Sequence, residues 1–557
     1  MNKNFLLLLF MVSFLLSSEN PVIIEVSDST LYEFTEDFYG IQYNKYAFNS
    51  PRALEKMEPL QIRWVRQWAY PSRFHPTPEA WDWKELDEKI NQADSLGYNI
   101  LLCLFQGEDW NIDGTDDCWW QVDSATIHWK TAAYELASRY QDKVDRFLLF
   151  DELHYLEPDS KYYISFKRSA EIYMEAAREI KKVSPDLKVG GPSGFAGWEN
   201  GHWANYVLQE PQGREHLDFI TSNIFLIWSP EETDKTIVDR TIWYEEAPQK
   251  IRKMIGESCP PIILDAYNIN GLWQLDGEPW TDPRNTNFLG ALYHALAKLH
   301  AAKGNFDLTL HWDTLGGFGI FQWFPDYTEN PNYFCWKFLI DFGGLESGSR
   351  LVECLTSENP QDLLSHHGGM NVMGYKVQPF AVKNKQDEYD IILINKYDTN
   401  EDVKILSPER IAANYRLYRF DETNQTDNFP LIENGNIKND TISIHCPAMS
   451  ISVVQVRKGI VVGIDRDKIL SGFELSQNYP NPFNSETTIE YHLSGSAPVT
   501  LDIFSVIGKR VDRLVHQNQG HGTYKITWAP SDLATGLYYY KIQIGKNHEI
   551  KKMVYLK

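Results

Sequence analysis

From Phe38 to Asp341 one alternation recurs: a short apolar run suited to a buried strand, then a longer stretch with helical periodicity. The strand-like runs are Phe38–Tyr43, Gln61–Gln67, Asn99–Phe105, Arg146–Phe150, Leu187–Gly191, Leu217–Thr221, Pro261–Leu264 and Phe306–Trp312. Helical patterns separate them, one built on Leu86, Ile90, Ala93 and Leu96 and stopped by Gly97, the others near 127–141, 161–182, 201–209, 236–255 and 286–303, with a last one near 332–341. Parallel neighbours need crossover helices, and eight such units are the number that closes a (β/α)8 barrel. The fold class is therefore α/β, with a TIM barrel over residues 35–344.

A barrel of this kind carries its chemistry at the carboxyl ends of its strands. Those ends hold Asn44, Arg66 to Trp68, Gln106 to Asp109, Asp151 to His154, Asn223, Asp265 to Asn268 and Trp312-Asp313. The collection is polar and aromatic, with no His/Cys cluster of metal spacing and nothing that calls for a cofactor. Glu152 stands out: the apolar run Phe147–Phe150 ends abruptly in Asp151, Glu152 and His154. Eighteen Trp and thirty Tyr suit sugar rings, whose C–H faces are apolar. Trp68, Trp228, Trp312 and Trp323 are candidates for such stacking, Tyr267 and Asn268 follow the seventh strand directly, and His154 is placed to meet Glu152 or a substrate.

Composition excludes some partners. A net charge of -23 repels phosphate backbones and anionic membrane surfaces, so nucleic acid is not expected. Residues 1–18 read as a signal peptide, with Lys3 ahead of the apolar run Phe5–Leu16, and no later stretch is long enough to span a bilayer. Six scattered cysteines predict few or no disulfides. Beyond Gly344 the helical periods fade into short β-branched and aromatic runs, which predicts an antiparallel β-sandwich over 345–457, joined by the strand in 20–34. Residues 458–470 read as a linker, and 471–557 have strand-and-turn texture again.

That last segment resembles the C-terminal sorting domain of the type IX secretion system. The likeness is carried by Phe473-Glu-Leu-Ser-Gln-Asn-Tyr-Pro-Asn-Pro-Phe-Asn484, Thr488-Ile-Glu-Tyr491, Val506-Ile-Gly-Lys509, Gly536-Leu-Tyr-Tyr-Tyr540 and Lys551-Lys-Met-Val-Tyr-Leu-Lys557. It implies handling by the type IX machinery and a secreted or cell-surface product.

The barrel and the sandwich resemble the clan A retaining glycoside hydrolases, family 39 most of all. The matching stretches are Arg63-Trp-Val-Arg66, the Asp151-Glu152 pair, Ser184-Pro-Asp-Leu-Lys-Val-Gly-Gly-Pro192, Leu217-Asp-Phe-Ile220, Pro261-Ile-Ile-Leu264 and Leu310-His-Trp-Asp313. The resemblance implies Glu152 as general acid/base after the fourth barrel strand, with Asp151 standing where the family has Asn. It also implies a nucleophilic Glu after the seventh strand, but the family's Thr-Glu-Trp-Asn reads Asp265-Ala-Tyr-Asn268, so Ala266 occupies that position and Asp265 is one residue early. On the sixth strand the family's His-x-Tyr reads Asn223-Ile-Phe225. Arg66 is expected to hold the second carboxylate ionised or to form a structural ion pair. Three readings stay open: Asp265 acts with Glu152; another carboxylate (Glu108, Asp109 or Asp313) substitutes; or the barrel binds a glycan without cleaving it.

Overall fold

The structure is a computed structural model that describes residues 21–105, 110, 123–151, 163–194, 200–227, 229–272, 274–275, 277–323, 326–358, 361–362, 373–406, 412–435, 437, 441–458, 473–493, 497–505, 509–520, 522–531, 533–544 and 547–557. The expected signal peptide and most of the expected linker lie outside the described residues. The chain divides into two units, one ending at Ile460 and one running from Val461 to Lys557.

In the first unit, β1 (Val22–Glu33) precedes the barrel strands β2 (Tyr39–Gln42), β3 (Trp64–Ala69), β4 (Asn99–Leu104), β5 (Arg146–Leu149), β6 (Lys188–Gly191), β7 (Phe219–Ile227) and β8 (Ile262–Asn270). A small hairpin, β9 (Gln274–Leu275) and β10 (Glu278–Pro279), separates β8 from β11 (Leu308–His311). The eight strands β2 to β8 and β11 close into one parallel barrel, with β11 beside β2. Alternate side chains point inward: Trp64, Leu101, Cys103, Leu148, Phe219, Ile263, Leu308 and Leu310 fill the barrel axis. Two glycines make room for the larger of these. A Cβ on Gly40 would stand 2.4 Å from the Leu310 side chain, and one on Gly190 would stand 2.6 Å from the Phe219 ring.

The expected helices follow the sequence periods closely with one exception, and the helices Lys45–Phe48 and Pro51–Met57 between β2 and β3 come without an expected pattern. The pattern near 236–255 is two helices, Asp234–Arg240 and Trp243–Ile255. Arg240 turns inward to donate to the Leu226 carbonyl at 2.8 Å and Thr241 caps the Val238 carbonyl, so the chain is tied down where a continuous helix would run on.

The remainder of the unit is β12 (Arg350–Thr356), the two-residue pair β13 (Gln361–Asp362) and β14 (Met373–Gly374), then β15 (Val377–Lys383), β16 (Tyr389–Asn395), β17 (Glu401–Leu406), β18 (Ala412–Asp421), β19 (Leu431–Gly435), β20 (Thr441–Cys446) and β21 (Ser450–Lys458). All but β13 and β14 form one nine-stranded sheet that also takes in β1, in the order β19-β18-β21-β16-β15-β12-β1-β17-β20. It is antiparallel except where β1 runs parallel to β17, a departure from the all-antiparallel expectation. One face, with Ile24, Ile391, Leu393, Ile405, Ile444 and Val454, encloses a core of its own. The other, with Phe380, Ile392, Phe420 and Val453, joins the barrel core, and Phe420 packs on Phe288 and Phe338 from two barrel helices. Buried Asp239 pins this contact by accepting from Lys396 Nζ at 2.9 Å and from the Tyr397 hydroxyl.

The second unit contains β22 (Phe473–Leu475), β23 (Thr487–Leu493), β24 (Ala497–Ser505), β25 (Arg510–Gln519), β26 (Gly522–Trp528), β27 (Gly536–Ile544) and β28 (Asn547–Tyr555). They form a three-stranded and a four-stranded sheet around Ile489, Tyr491, Leu501, Tyr540 and Met553. Asn478 braces the entry loop: its amide donates to the Thr487 hydroxyl at 2.9 Å and to the Pro480 carbonyl at 3.1 Å.

Candidate active site

The site is organised around Arg66, which β3 delivers to the barrel interior at 1% exposure. Its guanidinium bridges two carboxylates from opposite sides of the barrel. One terminal nitrogen lies 2.6 Å from Asp151 Oδ1, the other 3.3 Å from Asp265 Oδ2 and 3.2 Å from the Asp265 carbonyl. Given those lengths and the rigid guanidinium fork, the two bridged carboxylate oxygens are within about 8 Å of each other. Burial works against the arginine charge, but Asp151 and Asp265 together more than offset it, so Arg66 stays ionised.

Asp151 reaches Arg66 because the strand alternation is broken just before it, and Asp265 because the alternation of β8 holds up to it. On β5, Phe147 and Leu149 point to the helices and Leu148 to the axis. Phe150 follows with φ at +72° and also faces the helices, its ring stacked on Trp129 at 5.1 Å. A left-handed residue other than glycine is uncommon, and here it resets the phase so that Asp151 points inward. On β8 the ladder to β7 pairs Ser222 with Leu264 but Asn223 with Ala266, which makes Asp265 the extra residue of a β-bulge. Ile263 and Asp265 both face the axis in ordinary alternation, and the bulge turns the following residues.

Tyr267 is one of those residues, and its side chain lies in the helix layer rather than at the mouth. It meets Lys298 through its hydroxyl and packs edge-on against Tyr244, His294 and His311. Its expected part in substrate binding is therefore corrected. Asn268 is fully buried, and its amide holds the loop after β11 by donating to the carbonyls of Trp312 and Phe318. Asn223 is buried on β7, its N–H bonded to the Gly194 carbonyl at 3.3 Å.

Asp265 is the least solvated acid here. Neither of its oxygens has a well-directed hydrogen bond, although the Ser193 hydroxyl stands close enough to ease the charge. Burial pushes its pKa up to about 7; Arg66 pulls it down and Asp151 pushes it further up. Asp313 follows β11 and also rises to about 7 through burial, its carboxyl engaged with the Thr314 N–H and the Asn44 side chain.

Above this cluster lie the aromatics. Trp68 donates from Nε1 to Asp151 Oδ2 at 3.1 Å, carries the Arg66 guanidinium over its ring, and meets Trp312 edge-on at 4.8 Å. Trp312 in turn touches Phe225, and both tryptophans are partly exposed. Trp323 is 58% exposed and packs on the backbone at Gly316, apart from this pair. Glu152, His154 and Trp228 lie outside the described residues, as do Glu108 and Asp109. Tyr70 and Ser193 complete the surroundings and escaped the sequence reading, because both sit just beyond a strand end in loops without a pattern. Among the described residues no cluster of His, Cys, Asp and Glu has the make-up of a metal site, five cysteines are free, and no helix is long and apolar enough to cross a membrane.

Residues 477–556 match the family model of the secretion system C-terminal sorting domain, and that unit marks the chain for export to the cell surface or the medium. No curated protein matches the chain in sequence. Among solved structures, the chain is similar to CelM2, a bifunctional glucanase-xylanase from a metagenome library, at 12% identity and a TM-score of 0.54, over 79% of this chain and 99% of that one. The GH51 arabinofuranosidase of Xanthomonas axonopodis pv. citri aligns at 12% identity and 0.55, over 78% and 100%. The monomeric beta-xylosidase of Caulobacter crescentus CB15 aligns at 13% and 0.52, over 79% and 100%. At such identities the likeness establishes the fold alone: a closed parallel eight-stranded barrel with a companion sheet.

Proposed function

We propose that the chain is an exported glycoside hydrolase that cleaves a polysaccharide or oligosaccharide with Glu152 as proton donor and Asp265 as the second carboxylate. The observation that carries this reading is the inward side chain of Asp265 on β8, which faces across Arg66 toward Asp151, the neighbour of Glu152. Glycoside cleavage needs one carboxyl that gives a proton to the leaving oxygen and one that traps the sugar cation or activates water. Aspartate is one methylene shorter than glutamate, and the longer gap this leaves favours attack by water and inversion at the anomeric carbon. Trp68 and Trp312 supply apolar faces for the sugar, and the buried Asp151 fixes Trp68 and Arg66 beneath it.

Because burial holds Asp265 protonated up to about pH 7, hydrolysis that uses its ionised form rises with pH through neutrality. The test is the purified chain on xylan, β-glucan and arabinan, polymers suggested by the names of the similar structures. Glu152→Gln and Asp265→Asn are each expected to lower the rate by about 100-fold or more. A variant that keeps the full rate removes its residue from the chemistry.

One observation favours a second reading, that of a glycan-binding surface protein on an inactive barrel: the Asp265 side chain is 0% exposed. On that reading the polymers bind, none is cleaved, and Asp265→Asn leaves affinity as it was.

A further inference from the structure

The helix Pro71–Phe74 follows β3 immediately, and the first turns of the helix Lys84–Ser95 lie against it, so both border the same barrel face as Arg66. Between them is a pocket of about 60 Å³ lined by Trp68, Tyr70, Arg73, Asp82, Glu85 and Lys89, with Leu86 and Phe74 at its floor. That is far smaller than a free-standing ligand site, which runs to about 300 Å³ or more. It has room only for the edge of a ring whose remainder rests on the rim. Trp68 is shared: its Nε1 bonds Asp151, while its ring forms a wall of this pocket.

The lining has the chemistry of a sugar subsite. Tyr70 is half-buried beside Trp68, with ring centres 6.0 Å apart, and its hydroxyl has no hydrogen-bond partner among the described residues. Arg73 lies over the Tyr70 ring at 4.7 Å and bonds Glu85 at 3.0 Å; Glu85 is the only hydrogen-bond partner of its guanidinium among the described residues, so most of its five donors are open. Lys89 also bonds Glu85, at 2.6 Å, and Asp82 brings a second acid. Two cations against two acids leave the pocket neutral overall, which suits hydroxyl groups better than a uronate or a sulfated sugar.

We infer that the pocket beside Trp68 is a second saccharide subsite, holding the next unit of a neutral glycan chain whose first unit lies over Asp151 and Arg66. The inference rests on the glycan reading above and adds to it that the chain is neutral and runs from Trp312 across Trp68 toward Arg73. A protein that took single terminal sugars would have no use for a neutral, donor-rich extension on this side.

The test is calorimetric titration of the full-length protein with neutral xylo- and cello-oligosaccharides of two to six units, comparing wild type with Arg73→Ala and Tyr70→Phe. Arg73 is well exposed and Tyr70→Phe removes only one oxygen, so both variants are expected to melt with wild type. Wild-type affinity should climb about tenfold as the chain lengthens past the first site, the size of one good aromatic and hydrogen-bonding contact. Both variants should flatten that climb. Binding whose length dependence survives both substitutions overturns the second subsite while leaving the glycan reading in place. Failure of wild type to bind any of these probes overturns the two together.

Discussion

Asp265 offers a test that needs no substrate. Its carboxyl has an ordinary pKa of 3.8 and is pushed to about 7 by burial inside the barrel. The folded chain therefore holds that proton more tightly than the unfolded chain. The linked stabilisation is fully present below about pH 4, shrinks as pH rises, and is gone above about pH 7. Three pKa units correspond to a ceiling of about 4 kcal/mol. Asp265→Asn keeps the shape of the protonated acid and cannot ionise, so it removes this slope without emptying the space. Wild type and variant are expected to melt together near pH 4. By pH 8 the variant should be the more stable by up to about 4 kcal/mol, which for a cooperative unit of this size is about 4 °C in Tm. Scanning calorimetry of the first transition across pH 4 to 8 measures the difference, and the other titrating groups cancel because both proteins carry them. Parallel curves over that range would mean that Arg66 keeps Asp265 ionised throughout, and the burial argument would fail.

Other perturbations have equally definite outcomes. Arg66→Met strips the shared cation from Asp151 and Asp265 and should cost about 3 to 5 kcal/mol in chemical denaturation; Arg66→Lys should rescue little, because a point charge cannot fork to two acids. Asp239→Ala leaves Lys396 buried without its partner where sheet meets barrel, and a loss of about 3 to 5 kcal/mol is expected in the same assay. Trp312→Ala should weaken glycan affinity about tenfold in titration while the melting profile of the sorting domain stays put. Asn478→Ala removes two buried bonds from the sorting domain; that transition alone should fall by about 1 to 3 kcal/mol, with less protein reaching the medium.

The barrel was legible because periods of 2 and 3.6 residues are written directly into its apolar positions, although the short helices between β2 and β3 left no such pattern and β7 and β8 run on beyond theirs. Less legible was what side-chain period does not encode. Nothing in Leu149-Phe150-Asp151 announces a left-handed phenylalanine, since glycine is the usual sign of one. Nothing in Leu264-Asp265-Ala266 announces a bulge, which arises from the pairing of β8 with both neighbours. Those two local events decide which residues enter the site: the first turns Asp151 to Arg66, and the second sends Tyr267, two residues after the inward Asp265, among the helices. The short β runs beyond Gly344 were equally visible, but their assembly into one nine-stranded sheet with β1 parallel to β17 depends on pairings hundreds of residues apart.

The three groups at the mouth also explain one another energetically. A barrel interior tolerates one ion pair with good geometry, and Arg66 with Asp151 at 2.6 Å fills that allowance. A third charge would be uncompensated, so Asp265 takes a proton instead of ionising, and the resting cluster is neutral. The same poor solvation makes the site responsive. Positive charge developing on a sugar ring beside the cluster would be screened by almost nothing, so an Asp265 that has already given its proton to solvent stabilises that charge strongly. Surroundings that disfavour a resting carboxylate are thus the ones in which a newly formed carboxylate interacts most strongly with a cationic transition state.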